Sequence, residues 1–127
     1  MTRKPSEYIS EFLKFVSEAQ TQYKLYSEEV KKQEQLTQDY LHSLELDDLK
    51  YNERSKIATK LAINRKDRRY YKRCVENLEP IVKLFEDPKN KQVLNLMTKV
   101  LGDTRKAEAY HKHGKYTPRV LKENKDE

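Results

Sequence analysis

The sequence predicts an all-α protein: a long antiparallel helical hairpin of coiled-coil type, a shorter third helix and a basic C-terminal arm. Three observations predict it. Side chains recur on a three-four alternation through Ile9, Phe12, Val16, Ala19, Tyr23, Tyr26, Val30, Gln33, Thr37, Tyr40 and Leu44, and again through Ile57, Leu61, Asn64, Arg68, Tyr71, Val75, Leu78, Val82 and Phe85. Such a repeat keeps one stripe of a helix turned toward a partner. Only two glycines and four prolines occur in 127 residues, too few turn formers for a sheet protein. A single polar interruption over residues 46–52 separates the two runs, and helices of similar length joined by a short turn pack as antiparallel neighbours.

The first helix is expected over about residues 6–46. Pro5 suits a first turn, where its missing N–H costs nothing, and Glu7 and Glu11 favour the positive end of the helix dipole. Asp47, Asp48 or Asn52 could cap the second helix, expected over about 53–85. Pro80 falls inside that run and should kink or end it; the stripe continues through Val82 and Phe85, which favours a kink. Asp87-Pro88 reads as a cap and first turn for a third helix over about 88–101, carrying Val93, Leu94, Met97, Val100 and Leu101, with Gly102 as its C-terminal stop. Residues 1–102 then form one helical domain. Residues 103–127 form a partly ordered basic arm, with a further helical turn between Asp103 and Tyr110.

Folding about residue 49 places position i opposite about 98 − i, since the two strands run antiparallel. Gln33 then lies beside Asn64, and Arg68 beside Val30 and Glu29, so Gln33, Asn64 and Arg68 form a polar layer that sets register. Two helices alone make a thin core. The third helix or a second copy should cover the edge made by Leu13, Leu36, Leu41, Ile63, Ile81 and Leu84.

Charge is polarised along the chain. Residues 1–48 carry 6 Lys/Arg against 10 Asp/Glu, residues 49–86 carry 11 against 5, and residues 87–127 carry 10 against 6, for a net charge of +6. Pairing between the arms of the hairpin could absorb much of it. The run Arg65-Lys66-Asp67-Arg68-Arg69-Tyr70-Tyr71-Lys72-Arg73 is denser than pairing requires, with six basic residues in nine. On a helix, Arg65, Arg69 and Lys72 share one face, and Lys66, Tyr70 and Arg73 a neighbouring one. Guanidinium groups so spaced suit phosphate or carboxylate, and an exposed Tyr70 could stack on a base, whereas Tyr71 lies on the seam. Lys112, Lys115 and Arg119 extend the basic character into the arm. No helix-turn-helix, zinc-finger or RNA-recognition signature accompanies them.

No Gly-rich phosphate loop, His-Glu-x-x-His, Cys-x-x-Cys or Gly-x-Ser-x-Gly motif occurs. A thin hairpin also offers little room for a water-excluding site. His42 reads as a boundary residue, and His111 and His113 are two apart, so neither a catalytic residue nor a metal or other cofactor is expected. The lone Cys74 suits a reducing compartment. No apolar run reaches the ~20 residues of a membrane span, and Met1-Thr2-Arg3-Lys4-Pro5 has no apolar stretch behind it of the kind a secretory leader needs.

The stretch Asp39-Tyr40-Leu41-His42-Ser43-Leu44-Glu45-Leu46, with Ala58-Thr59-Lys60-Leu61, Asn64-Arg65-Lys66-Asp67-Arg68-Arg69, Lys72 and Leu78-Glu79-Pro80-Ile81-Val82, resembles small helical proteins of unknown function encoded by phages and prophages of Gram-positive bacteria. Their pattern is Asp-x-Leu-His-x-x-Glu-Leu, then Leu-x-x-x-Arg-x-x-Arg-Arg, then Leu-x-Pro-Leu/Ile-Val. The likeness spans about residues 39–85, has Tyr40 in place of the apolar type expected there, and covers neither the first helix before Gln38 nor the chain after Gly102. It implies a phage-borne accessory protein acting in the host cytoplasm, and it carries no catalytic residue across. The expected function is therefore non-enzymatic. The basic helical face docks a host or phage protein, in the manner of an inhibitor that occupies the acidic or nucleic-acid-binding cleft of a nuclease or defence complex. Two alternatives are a nucleic-acid-binding replication or regulatory accessory and a dimeric coiled-coil spacer.

Overall fold

A computed structural model describes residues 2–113. The chain forms three helices, α1 (Pro5–Leu46), α2 (Tyr51–Glu86) and α3 (Pro88–His113), with no strand among the described residues. The two long helices pack as an antiparallel hairpin. At 1.5 Å per residue α1 is about 63 Å long.

One register holds from end to end. Gln33 faces Asn64, Tyr26 faces Tyr71 with ring centroids 6.0 Å apart, and Phe12 meets Phe85 edge-on at 6.2 Å. A step of seven residues down α1 (33 to 26) is matched by seven up α2 (64 to 71). The next step is fourteen against fourteen (26 to 12, 71 to 85). Two heptad-spaced stripes are therefore in contact along most of the hairpin.

The core gathers at the end where α3 joins. Its buried apolar residues are Val16 and Ala19 from α1, Val82 and Phe85 from α2, and Leu101 from α3. Toward the hairpin turn the buried residues are polar, Thr37 and Asn64. Leu41, Ile63 and Leu84, three of the edge residues expected to be covered, stay exposed.

The helix ends differ from the sequence expectation in two places. First, α2 starts at Tyr51 with Lys50 in the cap position, so neither Asp47, Asp48 nor Asn52 caps it. The Glu53 carboxylate instead accepts the Lys50 N–H at 3.4 Å. As the stripe through Val82 and Phe85 predicts, α2 continues past Pro80, to Glu86. Pro80 lies on the solvent side, where water can bond the carbonyl that its ring leaves unpaired. Second, α3 does not stop at Gly102 but runs on to His113, taking in most of the first half of the segment expected as an arm. Its inward stripe explains why. Asn90, Leu94, Met97, Leu101, Thr104 and Glu108 keep the three-four alternation and are all at least half-buried, but past Gly102 the stripe is polar and hydropathy does not reveal it. At the other end of α3 the Asp87 carboxylate accepts the Lys89 N–H at 3.0 Å.

Glu108 makes the contact that anchors α3 to α1. Its two carboxylate oxygens accept the Ser6 backbone N–H at 3.0 Å and the Ser6 hydroxyl at 2.6 Å. Lys4, at the cap position of α1, offers no side-chain acceptor. A carboxylate from another helix thus satisfies an N–H that the first turn leaves unpaired and meets the positive end of the dipole. The Ser6 hydrogen bonds, helped by Lys4 and Arg105, hold the Glu108 carboxyl below its ordinary pKa.

Gly102 in the middle of α3 costs helix stability without serving a turn. Its φ is not positive, and a Cβ built there would meet nothing within 4 Å. Gly102→Ala is expected to stabilise the fold by about 0.5–1 kcal/mol, read from urea denaturation. A loss of stability would instead mean that the helix ends at this residue.

Candidate functional site: a basic trough between α1 and α2

The seam positions of α2 are flanked by two shoulders that carry different chemistry. One residue after a seam position stand Arg65 and Lys72, and beside them Arg69 and Glu76. With Arg68 and Arg73 these residues line a single shallow depression. A second depression adjoins it, lined by Lys31, Glu34, Gln35, Thr37 and Gln38 of α1 together with Arg65 and Arg68. The two share Arg65 and Arg68, so they form one trough along the junction of the helices, five cations against one carboxylate at the α2 end.

Most of these cations are unpaired. Among the described residues no carboxylate lies within ion-pair distance of Arg65, Lys66, Arg69, Lys72 or Arg73. The acidic arm does not neutralise the basic one. Arg68–Glu34, at 3.1 Å, is the one ion pair between helices among the described residues; Lys14–Glu18 and Lys83–Glu79 lie within a helix, and Arg3 pairs with Glu7 and Glu11 at the start of α1. Unpaired arginines on a concave surface retain forked donors for a planar oxyanion.

The polar layer is composed differently from the expectation. Asn64 is 4% exposed; its side-chain amide donates to the Gln33 carbonyl at 2.9 Å and to Gln33 Oε1 at 2.8 Å, and its Oδ1 accepts the Thr37 hydroxyl at 2.5 Å. The register puts the Arg68 backbone level with Glu29 and Val30, but its guanidinium reaches on to Glu34, with Nε at 3.3 Å and Nη2 at 3.1 Å from Oε1. The reason is geometric. Side chains on a helix lean toward its N-terminus, which for α2 is the turn end, so Arg68 meets α1 one turn later than its Cα level suggests. Thr37 joins the layer in its place.

Tyr70 stands apart from the trough. It lies one residue before a seam position, on the opposite shoulder from Arg65 and Lys72, and is 59% exposed. Its ring packs edge-on to Tyr71 at 5.4 Å. Hydrogen bonding of its phenol O–H to the Cys74 sulfur one turn on holds the proton and raises its pKa above the ordinary value. The exposed ring and the arginine groove thus face different ways, against the expectation that they act together on a nucleic-acid strand. Lys66 is exposed but does not line the trough; Lys112 is exposed on the last turn of α3; Lys115 and Arg119 lie outside the described residues. Sequence reasoning missed Lys31, Gln35 and Gln38. Their i, i+4, i+7 spacing beside the seam was the available signal.

Among the described residues no three of His, Cys, Asp and Glu group so as to hold a metal ion, and no helix is long and apolar enough to cross a membrane. The chain matches no known family model, no curated protein and no solved structure.

Proposed function

We propose that this chain is a non-enzymatic interaction protein that docks an acidic protein surface in the trough between α1 and α2. The observation that carries the reading is the convergence of Arg65, Arg69, Lys72 and Arg73 on one concavity with no ion-pair partner among the described residues. Four of the five cations there are arginines, whose planar fork matches carboxylates two oxygens at a time. The surrounding Gln35 and Gln38 add neutral donors and acceptors for a peptide backbone. In keeping with the resemblance over residues 39–85, the setting is the cytoplasm of a bacterial host. There the partner is a nuclease or defence component whose acidic cleft the helix pair occupies. Direct nucleic-acid binding would use the same arginines on phosphates, without help from Tyr70.

Titration of the full chain with a polyglutamate peptide and with single- and double-stranded oligonucleotides, at several salt concentrations, separates the two. The peptide is expected to bind, and the triple variant Arg65→Ala, Arg69→Ala, Arg73→Ala to bind it about tenfold or more weakly. The double variant Lys56→Ala, Lys60→Ala should leave the affinity near wild type. Tighter binding of oligonucleotides, with a log-log salt slope that the triple variant flattens, would establish nucleic acid as the ligand instead. Failure of the wild type to bind either at low salt would reject the trough as a docking site.

A further inference from the structure

The shoulder of the hairpin opposite the trough is apolar, and nothing among the described residues covers it. It carries three rungs, each made by both long helices: Phe15 with Leu84, Leu25 with Tyr70, and Leu36 with Ile63. All but Leu36 are about half exposed or more. On α2, Ile63, Tyr70 and Leu84 keep multiples of seven, so they form a second stripe beside the seam rather than scattered surface residues. α3 is on the other side. It meets α1 through Ser6, which repeats at sevens with Leu13 and Glu34 on the trough shoulder.

We propose that this face docks a second copy of the same chain, giving a four-helix bundle from two hairpins. Area and the repeat of the rungs both point to that occupant. At about 100 Å² for each half-exposed large side chain, five of them on each copy bury on the order of 1,000 Å² in all, and neighbouring polar side chains bring the total into the range of specific interfaces. A monomer rarely leaves such a patch open. The spacing of the rungs selects the symmetry. On α2, Leu84 stands fourteen residues from Tyr70 and Ile63 only seven, so a two-fold axis across the helices, which stacks α2 on α2 with its direction reversed, puts the outer rungs out of step. A two-fold axis along them stacks each α1 on the α2 of its mate and sets every rung against its own counterpart, with every adjacent pair of helices antiparallel. Both helices carry both signs beside the rungs, Glu29, Lys32 and Asp39 on α1 and Lys60, Lys66 and Asp67 on α2. That second arrangement is the one proposed. It leaves the two arginine troughs facing outward on opposite sides, and it stands whether or not the trough binds an acidic partner.

Sedimentation equilibrium of the full chain is expected to show a dimer at micromolar concentration. Leu25→Lys should weaken it about 30-fold or more, as loss of an anchor residue does, with an unchanged helical circular dichroism spectrum. Val100→Lys, on the exposed side of α3, should leave the dimer intact. Zero-length carbodiimide cross-linking of mixed light- and heavy-labelled protein is expected to join Glu29 or Asp39 of one copy to Lys60 or Lys66 of the other. A wild type that stays monomeric to millimolar concentration, a dimer indifferent to Leu25→Lys, or cross-links running from α1 to α1 would each overturn the proposal.

Discussion

Phe85→Ala is expected to unfold much of the chain at room temperature. The ring is buried where the three helices meet and packs edge-on against Phe12 at 6.2 Å. Truncating a buried phenylalanine costs about 3–5 kcal/mol. Small domains have only about 5–15 kcal/mol in total, and a core of Val16, Ala19, Val82, Phe85 and Leu101 places this chain toward the low end. Neither of the other contacts at that end, the Glu108–Ser6 bonds or the aliphatic core residues, can refill the space left by a ring. Thermal melts followed by circular dichroism should show the midpoint falling by about 10 °C or more. A change of under about 1 kcal/mol would mean that the helices hold together elsewhere.

The second large effect is expected at Asn64. Removing its side chain takes away three hydrogen bonds at once and leaves Gln33 Oε1 without its donor, while the Thr37 hydroxyl keeps only the Gln33 carbonyl at 2.9 Å. Asn64→Ala should therefore cost about 2–3 kcal/mol in urea denaturation, more than an ordinary hydrogen bond. Thr37→Val removes the same bond from the other side. A double-mutant cycle between the two should return a coupling of about 1 kcal/mol or more; simple additivity would show that the layer is not a network. Asn64→Leu tests its second role. That change removes the polar restriction on pairing, so it should keep or raise stability while the hairpin loses its unique register. Loss of dispersion in the amide resonances near Gln33 would report it.

Periodicity carried most of the architecture. Ile9 to Leu44 and Ile57 to Phe85 place the seam, and the pairings Gln33–Asn64, Tyr26–Tyr71 and Phe12–Phe85 lie within a residue of the expected register. The apolar pattern fails where the packed stripe turns polar. Thr104 and Glu108 continue the inward face of α3, and nothing in hydropathy distinguishes them from an arm. Gly102 misled for a related reason: a glycine stops a helix only where the backbone takes positive φ, and here packing on α1 keeps it helical.

The basic trough was legible as a run of residues but not as a surface. Composition located Arg65, Arg69, Lys72 and Arg73, and whether Glu34 and its neighbours on α1 would quench them depended on reach across the seam. Only Arg68 is placed to pair there, because its lean toward the turn brings it to Glu34.

By itself the order of residues determined that two long helices lie seam to seam, since a 3.5-residue repeat sets the angle of every side chain around its own axis. Which neighbour stands at each angle was decided only in three dimensions. The choice of the Ser6 shoulder for α3 left Tyr70, Leu25 and Ile63 in water, and the offset between helices left four α2 cations of the trough without a carboxylate. Those are relations between helices, and an angle about one axis does not contain them.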